Sequence, residues 1–221
     1  MRKKRDFYTK RAKQEGYRSR AAYKLLQIDR KFGLFGGIQT IIDLCGAPGG
    51  FSQIALNRSR GRANIFLVDK ARVKPIDQVR IIVGDITKRS TVFRIQEELE
   101  RSGFINDEIV VLADCSPNVS GNWVTDHARQ IWLSETALGI ANYFQATKFV
   151  TKVFQGEQLS SFLQKIRRNF GEVKEFKPPT SRKRSAEMYI IATKRIVRQN
   201  DNGLFNEGDL EVGNNTDMIE P

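Results

Sequence analysis

The sequence predicts an α/β fold, in which a mainly parallel β-sheet is covered by helices on both faces. Five short apolar runs alternate with segments of helical periodicity, and this alternation is typical of parallel strands joined by helical crossovers. Two further strand candidates follow near the end with only a loop between them, which predicts an antiparallel hairpin at the sheet edge. The chain of 221 residues has room for one such domain with short extensions.

The first predicted element is an amphipathic helix over residues 19–32. Ala21, Leu25 and Ile28 recur near helical spacing, Ser19 is placed to cap the amino terminus, and the helix should stop before Gly33. The strands predicted after it are Ile38–Leu44, Asn64–Val68, Arg80–Val83, Ile109–Ala113 and Phe149–Phe154, with helices near 51–58, 88–102, 126–145 and 157–169. The hairpin strands are Glu172–Phe176 and Met188–Thr193.

The net charge of +12 is concentrated in two segments. Residues 1–31 hold 12 Lys/Arg against 3 Asp/Glu and residues 177–200 hold 7 against 1, whereas residues 32–176 hold 18 against 15. These basic ends predict a surface that binds a polyanion, and aromatic residues such as Tyr8 and Tyr17 favour nucleic acid, since they stack on bases or pack the segment down.

Composition also divides the chain. The final 21 residues hold no Lys/Arg against 6 Asp/Glu and lack apolar periodicity, which predicts a disordered tail. We therefore expect a basic arm over residues 1–18, a folded domain over 19–198 and an acidic tail over 199–221.

Several classes of protein are disfavoured. No apolar run approaches the roughly 20 residues of a membrane-spanning helix, and the basic start is not followed by the apolar stretch of a secretory signal. We expect a cytoplasmic protein, or a nucleolar one in a eukaryote; Arg2–Arg5 would suit a nuclear signal and an RNA-binding arm equally well. Cys45, Cys115 and His127 do not form a zinc-ligand pattern, so we expect reduced thiols and no metal.

A glycine-rich turn follows the first strand. The chain passes from Asp43 through Gly46, Gly49 and Gly50 into a helix, the layout of a nucleotide-binding turn in a doubly wound sheet. Pro48 interrupts the dinucleotide glycine spacing, and there is no Gly-Lys-Ser/Thr ending for a phosphate loop. A pyrophosphate cradle is therefore a poor fit, which argues against a nicotinamide-dependent oxidoreductase.

Carboxylates stand at the next two strand ends. Asp69 is placed to accept from both ribose hydroxyls of an adenosine, and Asp85 is placed to accept from an adenine amino group. Together with the glycine-rich turn, these positions provide what S-adenosylmethionine requires.

Five short sequence motifs are informative when they are considered together. They are residues 17–25 (YRSRAAYKL), 43–53 (DLCGAPGGFSQ), 114–118 (DCSPN), 150–156 (VTKVFQG) and 185–189 (SAEMY). With them, the chain from about Tyr17 to Lys194 resembles the FtsJ family, also called RrmJ or RlmE, of RNA 2′-O-ribose methyltransferases. The resemblance implies S-adenosyl-L-methionine as cofactor and a Rossmann-like methyltransferase fold with a seven-stranded, mostly parallel sheet and a terminal antiparallel hairpin strand.

The resemblance also implies the site residues. A Lys-Asp-Lys-Glu tetrad around the transferred methyl group falls on Lys24, Asp114, Lys152 and Glu187. The cofactor contacts fall on Gly49, Phe51, Asp69, Asp85 and Asp114. Phe51 stands where many members have Trp, and Gly46 where they have Ala, which puts only the cofactor affinity in doubt.

Methyl transfer to a ribose hydroxyl needs the oxygen to lose its proton as it attacks. Lys152 is our predicted proton acceptor, although neutralising an ordinary lysine at pH 7 costs about 4.6 kcal/mol. The alternative is that Lys152 stays charged and orients the oxygen lone pair. In either case Asp114 would orient Lys152 and the methyl donor, while Lys24 and Glu187 would hold the ribose.

The predicted substrate is a uridine of large-subunit (23S-type) ribosomal RNA, either free or in the large subunit, because the resemblance is to the ribosomal branch. A methyltransferase of the tRNA anticodon loop and a non-catalytic RNA-binding factor for ribosome assembly are the alternatives. We expect a monomer that binds neither DNA nor membrane.

Overall fold

The fold is built on one seven-stranded sheet with helices on both faces. The computed structural model describes residues 7–103, 108–182 and 185–197. The strands are β1 (Thr40–Leu44), β2 (Asn64–Asp69), β3 (Val79–Val83), β4 (Ile109–Ala113), β5 (Lys148–Phe154), β6 (Phe170–Phe176) and β7 (Glu187–Arg195). The helices are α1 (Phe7–Gln14), α2 (Ala21–Phe32), α3 (Gly50–Ser59), α4 (Arg89–Arg101), α5 (Trp123–Tyr143) and α6 (Leu159–Arg167).

The strand order is β3-β2-β1-β4-β5-β7-β6. The five strands from β3 to β5 pair in parallel, and β7 pairs antiparallel with both β5 and β6. The predicted α/β class, parallel sheet and antiparallel edge are therefore confirmed. The hairpin prediction did not anticipate that β7 lies inside the sheet, between β5 and β6.

The sheet separates two apolar layers. On one face, residues of β1, β4 and β5 such as Ile42, Val111 and Phe149 pack with α4, α5 and α6. On the other face, Ile41, Val110 and other buried residues pack with α2 and α3. The central strands β1 and β4 are buried along their whole length, which explains their continuous apolar sequences. Among the described residues, no helix is both long and apolar enough to cross a bilayer.

The amino-terminal region differs from the prediction in two respects. The predicted basic arm contains helix α1, which the sequence did not indicate because its short helical face buries only Ala12. Tyr8 and Tyr17 pack their rings against Tyr23 of α2, so these aromatic residues hold the segment down. Ser19 does not cap α2: the capping position is Arg20, without a side-chain cap.

Gly33 does end α2, as predicted, in the left-handed conformation with φ 64°. The predictions for Arg2–Arg5 and for the acidic tail over 199–221 concern residues outside the described ranges. So does residue 198, the last of the predicted folded domain.

The expectation of reduced thiols is wrong: Cys45 and Cys115 form a disulfide. The two residues are 70 apart in sequence, but they follow neighbouring parallel strands, in which Leu44 of β1 is paired with Ala113 of β4. Parallel neighbours end at the same edge of the sheet, so the fold brings the two thiols together.

Candidate active site

A cleft of about 480 Å³ opens at the carboxyl ends of the parallel strands. Three of the predicted site residues line it: Asp69 after β2, Asp85 after β3 and Asp114 after β4. Ligands of doubly wound proteins bind outside the carboxyl ends of the strands, where successive loops converge. The cleft volume also lies in the range of small-molecule sites.

The glycine-rich turn between β1 and α3 forms part of the wall of this cleft. Gly49 precedes α3 with φ 111°, a left-handed conformation that favours glycine. A Cβ atom on Gly46 would lie 2.6 Å from Cγ of Leu67, so the turn as packed has no room for an alanine at this position. Gly46 is thus a packing requirement of this chain.

The carboxylates at the strand ends are held by backbone donors. Asp69 accepts hydrogen bonds from the amides of Ala47 (2.9 Å) and Ala71 (2.8 Å). Asp85 accepts from both the amide and the hydroxyl of Thr87, at 3.0 and 2.8 Å. Each carboxylate is therefore oriented and keeps acceptor capacity for further donors.

Asp43 lies buried beneath the turn. Its Oδ2 accepts a hydrogen bond from Ser52 Oγ at 2.6 Å, whereas its buried Oδ1 has no hydrogen-bond partner among the described residues. Burial raises the pKa of Asp43 to about 7, with the hydrogen bond from Ser52 opposing this shift. The site thus contains a buried acceptor atom close to the turn.

Two of the predicted cofactor residues do not line the cleft. Gly49 shapes the turn through its backbone. Phe51 is buried in the layer between the sheet and α2–α3, with its ring 6.3 Å from that of Tyr189. In this structure Phe51 is a packing residue.

Lys152 and Asp114 form a buried ion pair, with Nζ 3.1 Å from Oδ1. The Lys152 ammonium also donates to the Asp114 carbonyl oxygen at 2.9 Å and to Ser116 Oγ at 2.5 Å. Three acceptors thus match the three N–H groups of a charged lysine. Burial raises the pKa of Asp114, but the charges of Lys152 and Lys24 outweigh it, and the net pKa is lowered.

Lys24 and Glu187 form the second ion pair, with Nζ 2.6 Å from Oε1. The same carboxylate oxygen accepts from Ser181 Oγ at 3.0 Å. Lys24 comes from α2 and Glu187 begins β7, so this pair joins the amino-terminal helix to the last strand.

Tyr189 connects the two ion pairs. Its hydroxyl donates to Asp114 Oδ1 at 2.7 Å, and its ring lies 5.7 Å from Lys24 Nζ. Burial, together with the Asp114 and Glu187 carboxylates, raises the pKa of the Tyr189 phenol and keeps it protonated as a donor. The structure therefore brings the predicted tetrad together as one network.

Ser116 and Tyr189 extend this network, and the sequence analysis did not select them. Both residues lie within the sequence motifs on which the resemblance to the FtsJ family is based. A hydroxyl gives no sequence signal of its partner, so only the fold reveals their contacts.

The tetrad lies between two cavities. Asp114 faces the cleft, whereas Lys24 and Glu187 line a second cavity of about 220 Å³ with Arg20, Arg182 and Ser185. Three cations around this second cavity suit an anionic ligand. The charged residues thus have the cleft on one side and the smaller cavity on the other.

Comparison with known proteins gives consistent results. The chain is 44% identical over 198 residues to the ribosomal RNA large subunit methyltransferase E of Methanosarcina acetivorans, covering 89% of this chain and 71% of the relative. It is 42% identical over 193 residues to the protein of the same name from Archaeoglobus fulgidus, covering 86% of this chain and 96% of the relative.

A solved structure supports the fold. A chain from Plasmodium falciparum, described as a ribosomal RNA methyltransferase, superposes with a TM-score of 0.71 at 25% identity, covering 82% of this chain and all of that one. The model of the FtsJ-like methyltransferase family matches residues 17–195, which include all four tetrad residues. The chain therefore belongs to the FtsJ-like methyltransferase family.

Proposed function

We propose that this methyltransferase transfers the methyl group of S-adenosyl-L-methionine to the ribose 2′-oxygen of a uridine in large-subunit ribosomal RNA. The observation that carries the proposal is the tetrad itself. Lys24, Asp114, Lys152 and Glu187 form two ion pairs that Tyr189 connects, between a cleft of cofactor size and a smaller cavity of net positive charge. The relatives named for ribosomal RNA of the large subunit support this choice of substrate.

The residues of the cleft fit the cofactor. Asp69 and Asp85 present oriented carboxylates where adenosine hydroxyls and an amino group require acceptors, and the backbone near Gly46 and Gly49 allows a close approach. When bound, S-adenosylmethionine supplies an electrophilic methyl group.

Two roles remain for Lys152 in this reaction. As a proton acceptor, it must first give up one of its three hydrogen bonds and its own proton, so that a lone pair faces the ribose. As a charged residue, it orients the 2′-oxygen while another base removes the proton. Asp114 positions Lys152 in both cases, because it supplies two of the three acceptors.

The cationic surfaces suit RNA. A groove of about 600 Å³ between α1 and the start of α2 is lined by Lys10, Lys13, Arg18 and Arg20, and we propose that it extends the RNA-binding surface away from the tetrad. DNA lacks the 2′-hydroxyl and cannot replace RNA as the acceptor. We also propose that the protein is a monomer that works in the cytoplasm, or in the nucleolus of a eukaryote.

The test is transfer of labelled methyl groups from S-adenosylmethionine to deproteinised ribosomal RNA, intact large subunits and bulk tRNA, all lacking the modification. We expect label at a uridine 2′-oxygen of ribosomal RNA that is lost in Lys152→Ala. Lys165→Ala is the matched control, because Lys165 also forms an ion pair, with Glu135, but on the surface of α6. Label in tRNA alone would contradict the ribosomal assignment, and cofactor binding without transfer to any of these RNAs would contradict the catalytic one.

A further inference from the structure

An exposed aromatic surface lies at the start of α5. Trp123 is 51% exposed, Val124 next to it in sequence is 75% exposed, and Val119 in the preceding loop is 72% exposed. Single exposed apolar residues are ordinary, but a group of large ones marks an interaction site.

The indole of Trp123 rests on two other rings. Its centroid lies 5.9 Å from that of His127 and 6.0 Å from that of Phe154, with interplanar angles of 19° and 21°. His127 is itself buried, and Gly156 packs so closely against it that a Cβ atom there would lie 2.5 Å from the imidazole. The exposed ring therefore has a firm support.

The loop that leads to Trp123 is also fixed. The buried carboxylate of Asp126 accepts hydrogen bonds from the amides of Ser120 (2.8 Å) and Gly121 (3.1 Å). The Asn122 side chain caps α5 by accepting from the amide of Thr125 at 3.2 Å. An aromatic ring held in this way loses little conformational freedom when it binds a ligand.

The position of the ring relates it to the tetrad. Phe154 follows Lys152 by two residues on β5, so the two side chains project from the same face and stand about 7 Å apart along the strand. The loop from Asp114 to Trp123 also contributes Ser116 and Asn118 to the cleft wall. Trp123 is therefore within reach of a nucleotide next to one whose ribose faces Lys152.

We infer that Trp123 is a stacking platform for an unpaired nucleobase of the RNA, in a nucleotide next to the methylated one. This inference rests on the proposed function. Unpaired bases stack on aromatic side chains, which is a common mode of single-strand recognition. A protein partner fits less well, because one indole and two valines are far smaller than the roughly 800 Å² per partner of a standard interface.

Fluorescence provides a test that does not need activity. The chain has two tryptophans, so in Trp132→Phe the emission comes from Trp123 alone. We expect saturable quenching on titration with single-stranded octauridylate, over the range in which fluorescence anisotropy of a labelled copy reports binding. Binding without any change in Trp123 emission would overturn the inference.

Kinetics provide the second test. Trp123→Ala should raise the KM for ribosomal RNA about 5- to 160-fold, the equivalent of ~1–3 kcal/mol of stacking, whereas Trp123→Phe should keep most of the affinity. The value of kcat and the affinity for S-adenosylmethionine should stay unchanged. The matched control is Phe93→Ala, which removes a 40% exposed aromatic ring from α4.

The two proposals fail in different ways. If the unmodified enzyme transfers no methyl group to RNA, the proposed function fails, while quenching still tests the platform. If the enzyme methylates RNA and Trp123→Ala leaves the KM for RNA unchanged, the platform is refuted. The same conclusion follows if the substitution changes only the oligomeric state, measured as the sedimentation coefficient.

Discussion

Ser116 offers a way to distinguish the two roles of Lys152. Its Oγ lies 2.5 Å from Nζ and is the only side-chain hydroxyl among the three acceptors of Lys152. Ser116→Ala removes this acceptor and leaves both contacts from Asp114 in place. Because the buried ion pair between Lys152 and Asp114 stays in place, we expect the Ser116→Ala protein to keep its fold.

The expected size follows from the difference between two hydrogen bonds. A hydrogen bond contributes about 0.5–1.5 kcal/mol between neutral groups and about 1.5–3 kcal/mol when one group is charged. If Lys152 has already lost its proton when both substrates are bound, and gains one from the ribose during the reaction, the bond to Ser116 strengthens by about 1 kcal/mol in the transition state. The loss of that increment slows kcat about fivefold. Ser116 itself is exposed, so water partly replaces it and the effect stays at this low end.

The assay is single-turnover methyl transfer at saturating RNA and S-adenosylmethionine, at a pH above which the rate no longer rises, so that no prior loss of a proton contributes to kcat. Ser116→Thr keeps the hydroxyl and should retain most of the rate. Ser161→Ala is the matched control, because Ser161 Oγ also makes a hydrogen bond, to Gln158 O on α6, away from the tetrad.

A kcat within twofold of the unmodified enzyme in Ser116→Ala would refute the reasoning. A bond that is equally strong before and during the reaction contributes nothing to the rate. That result would favour a Lys152 that keeps its charge throughout and orients the ribose oxygen.

Two further predictions concern stability. Reduction of the Cys45–Cys115 disulfide, which closes a loop of 70 residues, should lower the free energy of unfolding by about 4 kcal/mol. Denaturant titrations with and without reductant would measure this change, with thiol counts to verify the redox state. Equal unfolding midpoints for the oxidised and the fully reduced protein would contradict the prediction. Burial raises the pKa of Asp43 to about 7 from 3.8. Between these two values the folded state holds a proton that the unfolded state releases. The resulting stabilisation is therefore complete below about pH 4 and is lost as the pH rises through 7. The free energy of unfolding of Asp43→Asn should therefore decrease less between pH 4 and 8, and parallel pH profiles would count against the shifted pKa.

The sheet was predictable because its signals are local. The continuous apolar runs at Ile109–Ala113 and Phe149–Phe154 indicate buried strands whatever the remainder of the chain does. The order β5-β7-β6 was not predictable in the same way. Both placements of the last strand satisfy the same periodicity, and its location depends on pairing with β5.

The site was predictable only in part. The charged tetrad could be assigned by resemblance to the motifs of a known family. The contacts of Ser116 and Tyr189, however, depend on how β4, β5 and β7 come together. The disulfide shows the same limit. Cys45 and Cys115 have no sequence spacing that indicates a pair, and their proximity follows from the parallel pairing of β1 with β4.

The position of β7 inside the sheet, between β5 and β6, has a consequence for biosynthesis. This strand supplies Glu187 and Tyr189, and Tyr189 is paired directly with Lys152 in the register of the sheet. Chains leave the ribosome amino terminus first, so Lys24, Asp114 and Lys152 are synthesised before Glu187 and Tyr189. A nascent chain therefore carries three of the four charges without the strand that connects them, and the complete network requires β7 to insert between β5 and β6.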